Sequence, residues 1–152
     1  MARSLSGEEL LARIPQQEPF RFVDEIHEID DERVVGSYRW RPEADFYRGH
    51  FPGDPVTPGV LLVESMAQCG VVPLAIRLAF AELEEAEAEK FQTFFTEAEV
   101  EFSGIVRPGN RVTTESRRLY WRRRKLKAKV EMRLEDGSVV CSGTLAGIGV
   151  IG

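Results

Sequence analysis

The chain is poor in the residues that staple or metallate small proteins: it has 2 cysteines and 2 histidines in 152 residues. Cys69 and Cys141 lie in apolar surroundings, Ala67-Gln68-Cys69-Gly70 and Val139-Val140-Cys141, and neither belongs to a CxxC pair. The expectation is two buried thiols in a reducing compartment, with no structural metal. Basic excess is also missing, since 20 Lys and Arg face 25 Asp and Glu, for a net charge of −5. That weighs against a general nucleic-acid binder. No uncharged apolar run approaches the ~18 residues of a membrane span, and the first nine residues hold no apolar signal core. A soluble, cytoplasmic protein with no membrane partner is expected. No repeat with a period of about 20 to 50 residues is visible, which excludes solenoids and propellers. What remains is a chain of 43% hydrophobic and 30% charged residues. That suits one domain over 1–152, long enough to hold a core without staples.

Local patterns give the elements. Ser6 with Glu9 is a capping box ahead of Leu10, Leu11 and Ile14, so a short helix should run to Pro15. Phe22–Ile29 and Arg33–Trp40 are strand candidates around the polar turn Asp30-Asp31-Glu32. Residues 41–59 are dense in proline and glycine and predict a shaped loop. From Gly59 the residues Val60, Leu61, Val63, Met66, Ala67, Gly70 and Val71 form an apolar run with helical spacing, which belongs in the interior. Pro73 should end or kink that helix, with a second piece through Leu74, Ile76, Leu78 and Phe80. The acidic run Glu82 to Glu89 reads as a solvated face or loop. Phe91–Val106, Val112–Trp121, Leu126–Leu134 and Val139–Val150 are strands. Pro108-Gly109 and Asp136-Gly137 supply turns. The order fits a long antiparallel sheet around one central helix.

Chemistry concentrates between Gly49 and Gln68. Glu64 interrupts the apolar helix, where a carboxylate must be partnered or neutral. Burial would raise its pKa and favour the acid, which can donate a proton. Gln68 lies one turn later and can hydrogen-bond to it. His50 sits in a loop stiffened by prolines, and a neutral imidazole is a natural general base. His27, among Glu25 and Glu28, reads as a surface residue. Thr57-Pro58-Gly59 opens the helix, where unpaired N–H groups could polarise a carbonyl. Each group also has a plain reading: a hydrogen-bonding loop histidine, a satisfied structural acid, a turn glycine. A base, an acid and a carbonyl-polarising helix end within one short segment are harder to attribute to packing.

The segment Gly49-His50-Phe51-Pro52-Gly53-Asp54-Pro55-Val56-Thr57-Pro58-Gly59-Val60-Leu61-Leu62-Val63-Glu64-Ser65-Met66-Ala67-Gln68 resembles the motif of the FabZ-type (3R)-hydroxyacyl-acyl carrier protein dehydratases, G-H-F-P-G-x-P-x-x-P-G-V-L-x-x-E-A-M-A-Q. Ile14-Pro15, Pro19-Phe20 and Val23-Asp24 resemble the family's entry motif, and Ala98–Phe102 with Val106–Asn110 a later one. The resemblance implies an α+β hotdog fold. It implies dehydration of a 3-hydroxyacyl thioester, with His50 taking the C2 proton and Glu64 protonating the 3-hydroxyl. Phe51, Pro58, Gly59, Val60 and Gln68 would lie on the substrate side. The substrate would ride on the 4'-phosphopantetheine of acyl carrier protein, with no metal or redox cofactor. A homodimer is implied, His50 of one chain meeting Glu64 of the other, and such dimers also assemble as trimers of dimers. Four departures bear on substrate identity: Gln16-Gln17 for His-Arg, Asn110 for Asp, the acidic stretch 82–89, and phenylalanine rather than tyrosine within 91–95.

Residues 117–133 hold nine basic side chains and the acid Glu131. Arg122, Arg123, Arg124 and Lys125 at a hairpin would suit an acidic carrier protein; the plain alternative is a solubilising surface balanced by acids. Nucleic-acid binding lacks a supporting motif. Two other functions compete: a hotdog acyl-thioesterase, which would not need the His-Phe-Pro-Gly loop, and a non-catalytic acyl-thioester-binding domain, which would not need His50 and Glu64 together.

Overall fold

A computed structural model describes residues 4–152. The first helix, α1 (Gly7–Arg13), begins as the capping box requires: Ser6 Oγ accepts from the Glu9 amide, and Glu9 accepts from the Ser6 amide. Its far end is closed by a residue with no sequence signal for the task. The Arg21 guanidinium donates to the carbonyls of Leu11, Ile14 and Gln16 at 2.8, 3.4 and 3.1 Å. Carbonyls left over at a helix end need such donors.

Six strands follow: β1 (Glu25–Ile29), β2 (Arg33–Arg39), β3 (Phe91–Phe102), β4 (Arg111–Arg122), β5 (Lys125–Leu134) and β6 (Val139–Ile151). They form one sheet in the order β1-β2-β4-β5-β6-β3, every pair antiparallel. The expected turns are in place. Asp30 Oδ1 accepts from the Glu32 and Arg33 amides, and Gly109 and Gly137 have positive φ. The β4–β5 hairpin turns on Arg123 and Arg124, with φ of 50° and 62°. That is the left-handed pair a two-residue hairpin needs, here without glycine.

Inside the sheet runs α2 (Gly59–Met66), a wide π turn (Ala67–Val71) and α3 (Val72–Glu82). The short helix α4 (Glu85–Ala88) lies in the acidic run. Gly59–Glu82 is long and apolar enough to cross a membrane by length and composition, but 72% of its most apolar window is buried within the fold. Leu62, Met66, Cys69 and Leu74 of this helix pack on Val34, Val112, Leu126, Met132 and Leu145 of the sheet. The approach is close. A Cβ on Gly70 would come within 2.7 Å of Ser116 Cβ, and one on Gly36 within 2.9 Å of Cys69 Cβ. This is the hotdog arrangement. Both cysteines are buried free thiols, and burial pushes each up to about 12.

Four expectations need correction. Pro73 does not end the helix: it stands in the first turn of α3, the second piece expected through Leu74–Phe80. The π turn precedes it, the Val72 amide reaches back to Ala67, and the missing donor of Pro73 is absorbed there. Phe22–Asp24 is not strand: the Phe22 amide donates to Gln68 Oε1 and its carbonyl accepts from Ser65 Oγ, while the Asp24 amide donates to the Ser37 carbonyl of β2. Strand β3 stops at Phe102, since Ser103 and Gly104 both turn their amides to the Val140 carbonyl. Val60 is 76% exposed, although the run it opens is otherwise mostly interior. His27 is half-exposed, as its surface reading requires, with Nε2 2.7 Å from Ser37 Oγ.

Asp24 fastens the entry segment to the end of β2. Its carboxylate takes both Arg41 amino groups at 2.6 and 3.0 Å and the Arg39 amide at 2.8 Å. Burial opposes ionisation, but the Arg41 and Arg39 hydrogen bonds outweigh it and hold the pKa below its ordinary value. Asp24 therefore contributes stability above its unfolded pKa, and that contribution is lost as pH falls through the lower folded value. Asp24→Asn should cost about 1 kcal/mol at pH 7. The gap from wild type should close as pH falls below the lowered folded pKa of Asp24. Urea melts across this range check this.

Candidate active site

The loop between β2 and α2 is held by its own backbone and by neighbours. Tyr47 Oη lies 2.6 Å from Thr57 Oγ1, the Thr57 amide donates to the Val106 carbonyl, and Arg107 bonds Asp54 at 2.8 Å. Asn110 closes the adjacent turn, its Oδ1 accepting from the Arg107 amide at 2.8 Å. Within the loop the Phe51 and Asp54 amides each donate to the other's carbonyl. The His50–Phe51 and Glu18–Pro19 peptides are cis.

His50 is fixed twice in this frame. Its ring stacks on Phe51 with centroids 4.1 Å apart, and its Nδ1 lies 2.7 Å from the Val56 carbonyl. A carbonyl only accepts, so Nδ1 carries a hydrogen and Nε2 is the nitrogen left outside this contact.

Glu64 is half-buried on α2. Burial pushes its pKa up, opposed by the hydrogen bond from Gln68. Gln68 Nε2 donates to Glu64 Oε2 at 2.8 Å and to the Phe20 carbonyl at 3.0 Å, while Gln68 Oε1 accepts from the Phe22 amide at 2.6 Å. Gln68 is wholly buried. The expected contact with Glu64 is present, and the same amide is anchored to the backbone of Phe20 and Phe22. Glu64 opens on a cavity of about 200 Å³ walled by Gln16, Ala67, Val71, Val72, Phe94 and Phe95 among others. Gln16 was read from sequence only as a departure at a pocket edge, and nothing in the pattern marked Ala67 or Val71 as walls. His50 does not line this cavity.

At the start of α2 the Pro58 N-cap offers no side-chain bond. Leu61 and Leu62 both donate to the Pro58 carbonyl, which leaves the amides of Gly59 and Val60 without an internal acceptor. The Phe102 ring lies over Gly59, where a Cβ would approach it to 3.1 Å. Phe51, Val60 and Phe102 are more than half exposed around this helix end.

The basic stretch divides. Arg117, Arg118, Lys125, Lys127 and Arg133 pair with Glu115, Glu32, Glu97, Glu97 and Glu131. Among the described residues Arg122, Arg123 and Arg124 form no ion pair, and Arg122 stacks on Tyr120 at 4.6 Å. Among the described residues no cluster of three His, Cys, Asp or Glu could hold a metal.

The profile of the FabA-like domain family matches residues 14–144. The chain is 34% identical over 139 residues to a 3-hydroxyacyl-[acyl-carrier-protein] dehydratase FabZ of Caldicellulosiruptor bescii, covering 91% of this chain and 94% of that protein. It is 37% identical to the protein of that name from Herpetosiphon aurantiacus, covering 93% and 95%. Among solved structures it resembles a thioesterase from Haemophilus influenzae, with TM-score 0.68, 14% identity and coverage of 99% and 94%. A mutant thioesterase from Pseudomonas aeruginosa gives TM-score 0.67 at 15% identity, covering 97% and 96%. At such identity these two show the fold alone.

The raised pKa of Glu64 has a consequence for stability. A buried acid that prefers its neutral form destabilises the fold once pH exceeds the folded pKa. Glu64→Gln keeps an acceptor for Gln68 and cannot ionise. Its melting temperature should exceed that of wild type at pH 8, with the difference shrinking toward pH 4. A pH-independent difference would remove burial of the charge as the cause.

Proposed function

The chain belongs to the FabA-like family as a FabZ-type dehydratase, and we propose that it converts (3R)-3-hydroxyacyl-acyl carrier protein to the trans-2-enoyl thioester in fatty acid synthesis. The observation that carries this reading is Glu64: an acid whose pKa burial raises, oriented by Gln68, and facing a mostly apolar cavity. His50 Nε2 takes the C2 proton. The C–H electron pair becomes the C2–C3 double bond as the C3–O bond breaks, and Glu64 gives its proton to the departing oxygen, which leaves as water. The thioester carbonyl polarises against the free amides of Gly59 and Val60, which makes the C2 proton acidic enough for a histidine. Phe51 and Pro58 shape the approach to that helix end. No metal or redox group is needed, and the acyl chain arrives on 4'-phosphopantetheine in the cytoplasm.

His50 reaches the substrate from a second copy of the chain. Three features support a shared site: His50 is absent from the Glu64 cavity, β3 is an edge strand exposed along most of its length, and Phe51, Val60, Phe94 and Phe102 are exposed apolar groups. An edge strand with such side chains is a template for pairing with another copy. Dimers of this kind could stack further into trimers. The thioesterase reading shares only the fold and leaves the oriented imidazole of His50 without a use.

His50→Ala and Glu64→Gln should each lower turnover by ~10²–10⁴-fold while the fold persists. Mixing the two variants under subunit exchange should restore part of the activity, since some dimers then hold one intact site. Mixed dimers that form, by native mass, yet stay inactive would sink the shared site.

The unpaired Arg122, Arg123 and Arg124, with Lys125 beside them, are the proposed landing site for the acidic carrier. Lys125 is already engaged by Glu97, so the test uses the arginines. Changing all three to Glu should raise KM for a carrier-bound substrate and leave a short pantetheine thioester nearly unaffected. Equal loss on both substrates would make the role structural.

A further inference from the structure

Two buried hydroxyls beside His50 have no part in the reaction as written. Tyr47, on the short helical turn Asp45–Arg48, and Thr57, just before α2, are 6% and 3% exposed. Their Oη and Oγ1 lie 2.6 Å apart. The bond closes the neck of segment 47–57, and His50 stands inside it. Both ends are anchored. The Tyr47 ring packs against Phe46 with centroids 4.6 Å apart, and the Thr57 amide donates to the carbonyl of the buried Val106 at 2.9 Å. As filling, phenylalanine and valine would occupy the same space with no hydroxyl to satisfy, a replacement that is often nearly neutral. A hydroxyl pair adds direction, because a satisfied buried bond holds one geometry.

What it directs follows from the chain. The Val56 carbonyl that accepts from His50 Nδ1 and the Thr57 amide that donates to Val106 belong to one planar peptide. The Val56 amide also donates to the His50 carbonyl at 2.9 Å. On the other side of Thr57, Pro58 has its φ fixed by its ring, and a residue before proline has a restricted backbone. The orientation of Thr57 is therefore passed forward to the free amides of Gly59 and Val60. We infer that Tyr47 and Thr57 are positioning residues for the dehydration: the bond between their hydroxyls sets the His50 imidazole and the amides at the start of α2 in one fixed relation. The inference rests on the dehydratase reading and deepens it. In that reaction the imidazole takes a proton from C2 while the amides polarise the carbonyl bonded to C2. The two groups act on adjacent atoms, so a small slip between them misaligns the transfer. Both hydroxyls are buried and act through His50 and the helix end, without touching the substrate.

The decisive variant is the double substitution Tyr47→Phe with Thr57→Val, which removes both hydroxyls and leaves neither unpaired. Its melting temperature should stay near that of wild type. Its kcat on a 3-hydroxyacyl pantetheine thioester should fall about tenfold, with KM changed by less than about twofold. Tyr47→Phe alone should lose a similar factor in kcat and also melt earlier, because Thr57 Oγ1 is then buried without its partner. Thr57→Ser keeps the hydroxyl and should keep most of the turnover. A stable double variant at wild-type kcat overturns the positioning role, as does Thr57→Ser falling as far as the double variant. If the double variant melts below the assay temperature, Tyr47→Phe decides by the same comparison of kcat. In each of these outcomes wild-type activity keeps the dehydratase reading intact. A wild-type protein that releases no water from any 3-hydroxyacyl thioester overturns both.

Discussion

The primary amide of Gln68 is the constraint on which the rest turns. It is wholly buried where the central helix widens, and it binds two separate pieces of structure at once. Its oxygen and nitrogen hold Phe22 and Phe20 of the entry segment, and its second N–H holds Glu64. With Ser65 Oγ on the Phe22 carbonyl, the entry segment is attached to the helix by side chains where a strand would have used backbone. Loss of the amide would leave a buried amide and a buried carbonyl unpaired, so the network is costly to leave half-made. The same bonds that fix the chain entry fix the acid. Fold and site are here one set of contacts.

The widened turn also explains how the helix fits its sheet. Gly36 and Gly70 let β2 and β4 approach the helix closer than any side chain would allow. Ala67–Val71 presents Gln68 toward the entry segment on one side and Gly70 toward Ser116 on the other. The Val72 amide reaches back five residues to Ala67, so Pro73 follows without a break. A regular helix would have met Pro73 with a missing donor and a clash.

Much of this was legible because it is written in local chemistry. The Ser6–Glu9 capping box, the Asp30 and Asp136 turns and the alternation of β4, β5 and β6 depend on near neighbours, and sequence shows near neighbours. Glu64 stood out for the same reason, a carboxylate among valines and leucines four residues before an amide. The misses are all long-range. Phe22 sits in a segment of strand composition, but its backbone is taken by the Gln68 and Ser65 side chains. Arg21 closes α1 through bonds that no spacing announces. Val60, Phe94, Phe95 and Phe102 have interior composition but are exposed. Three of the nine basic residues, Arg118, Lys125 and Lys127, pair with acids far along the sequence, Glu32 and Glu97. Pro73 misled because proline's effect depends on the helix pitch before it.

The two central groups are held by unrelated means. Burial raises the pKa of Glu64, an effect of the whole helix and its cavity. His50 is oriented by one carbonyl and one stacked ring, an effect of a short loop. In the proposed reaction Glu64 gives a proton and His50 takes one, so each turnover leaves an imidazolium and a carboxylate. Burial then works against the product state of Glu64, since the charged carboxylate is the form it penalises. The Gln68 hydrogen bond works the other way and softens that penalty. A carboxyl group that were only buried would give up its proton poorly, and one that were only hydrogen-bonded would not hold it. The pairing of a half-buried position with a single amide donor places Glu64 between these limits, where it can both give a proton to the departing hydroxyl and be reset for the next turnover.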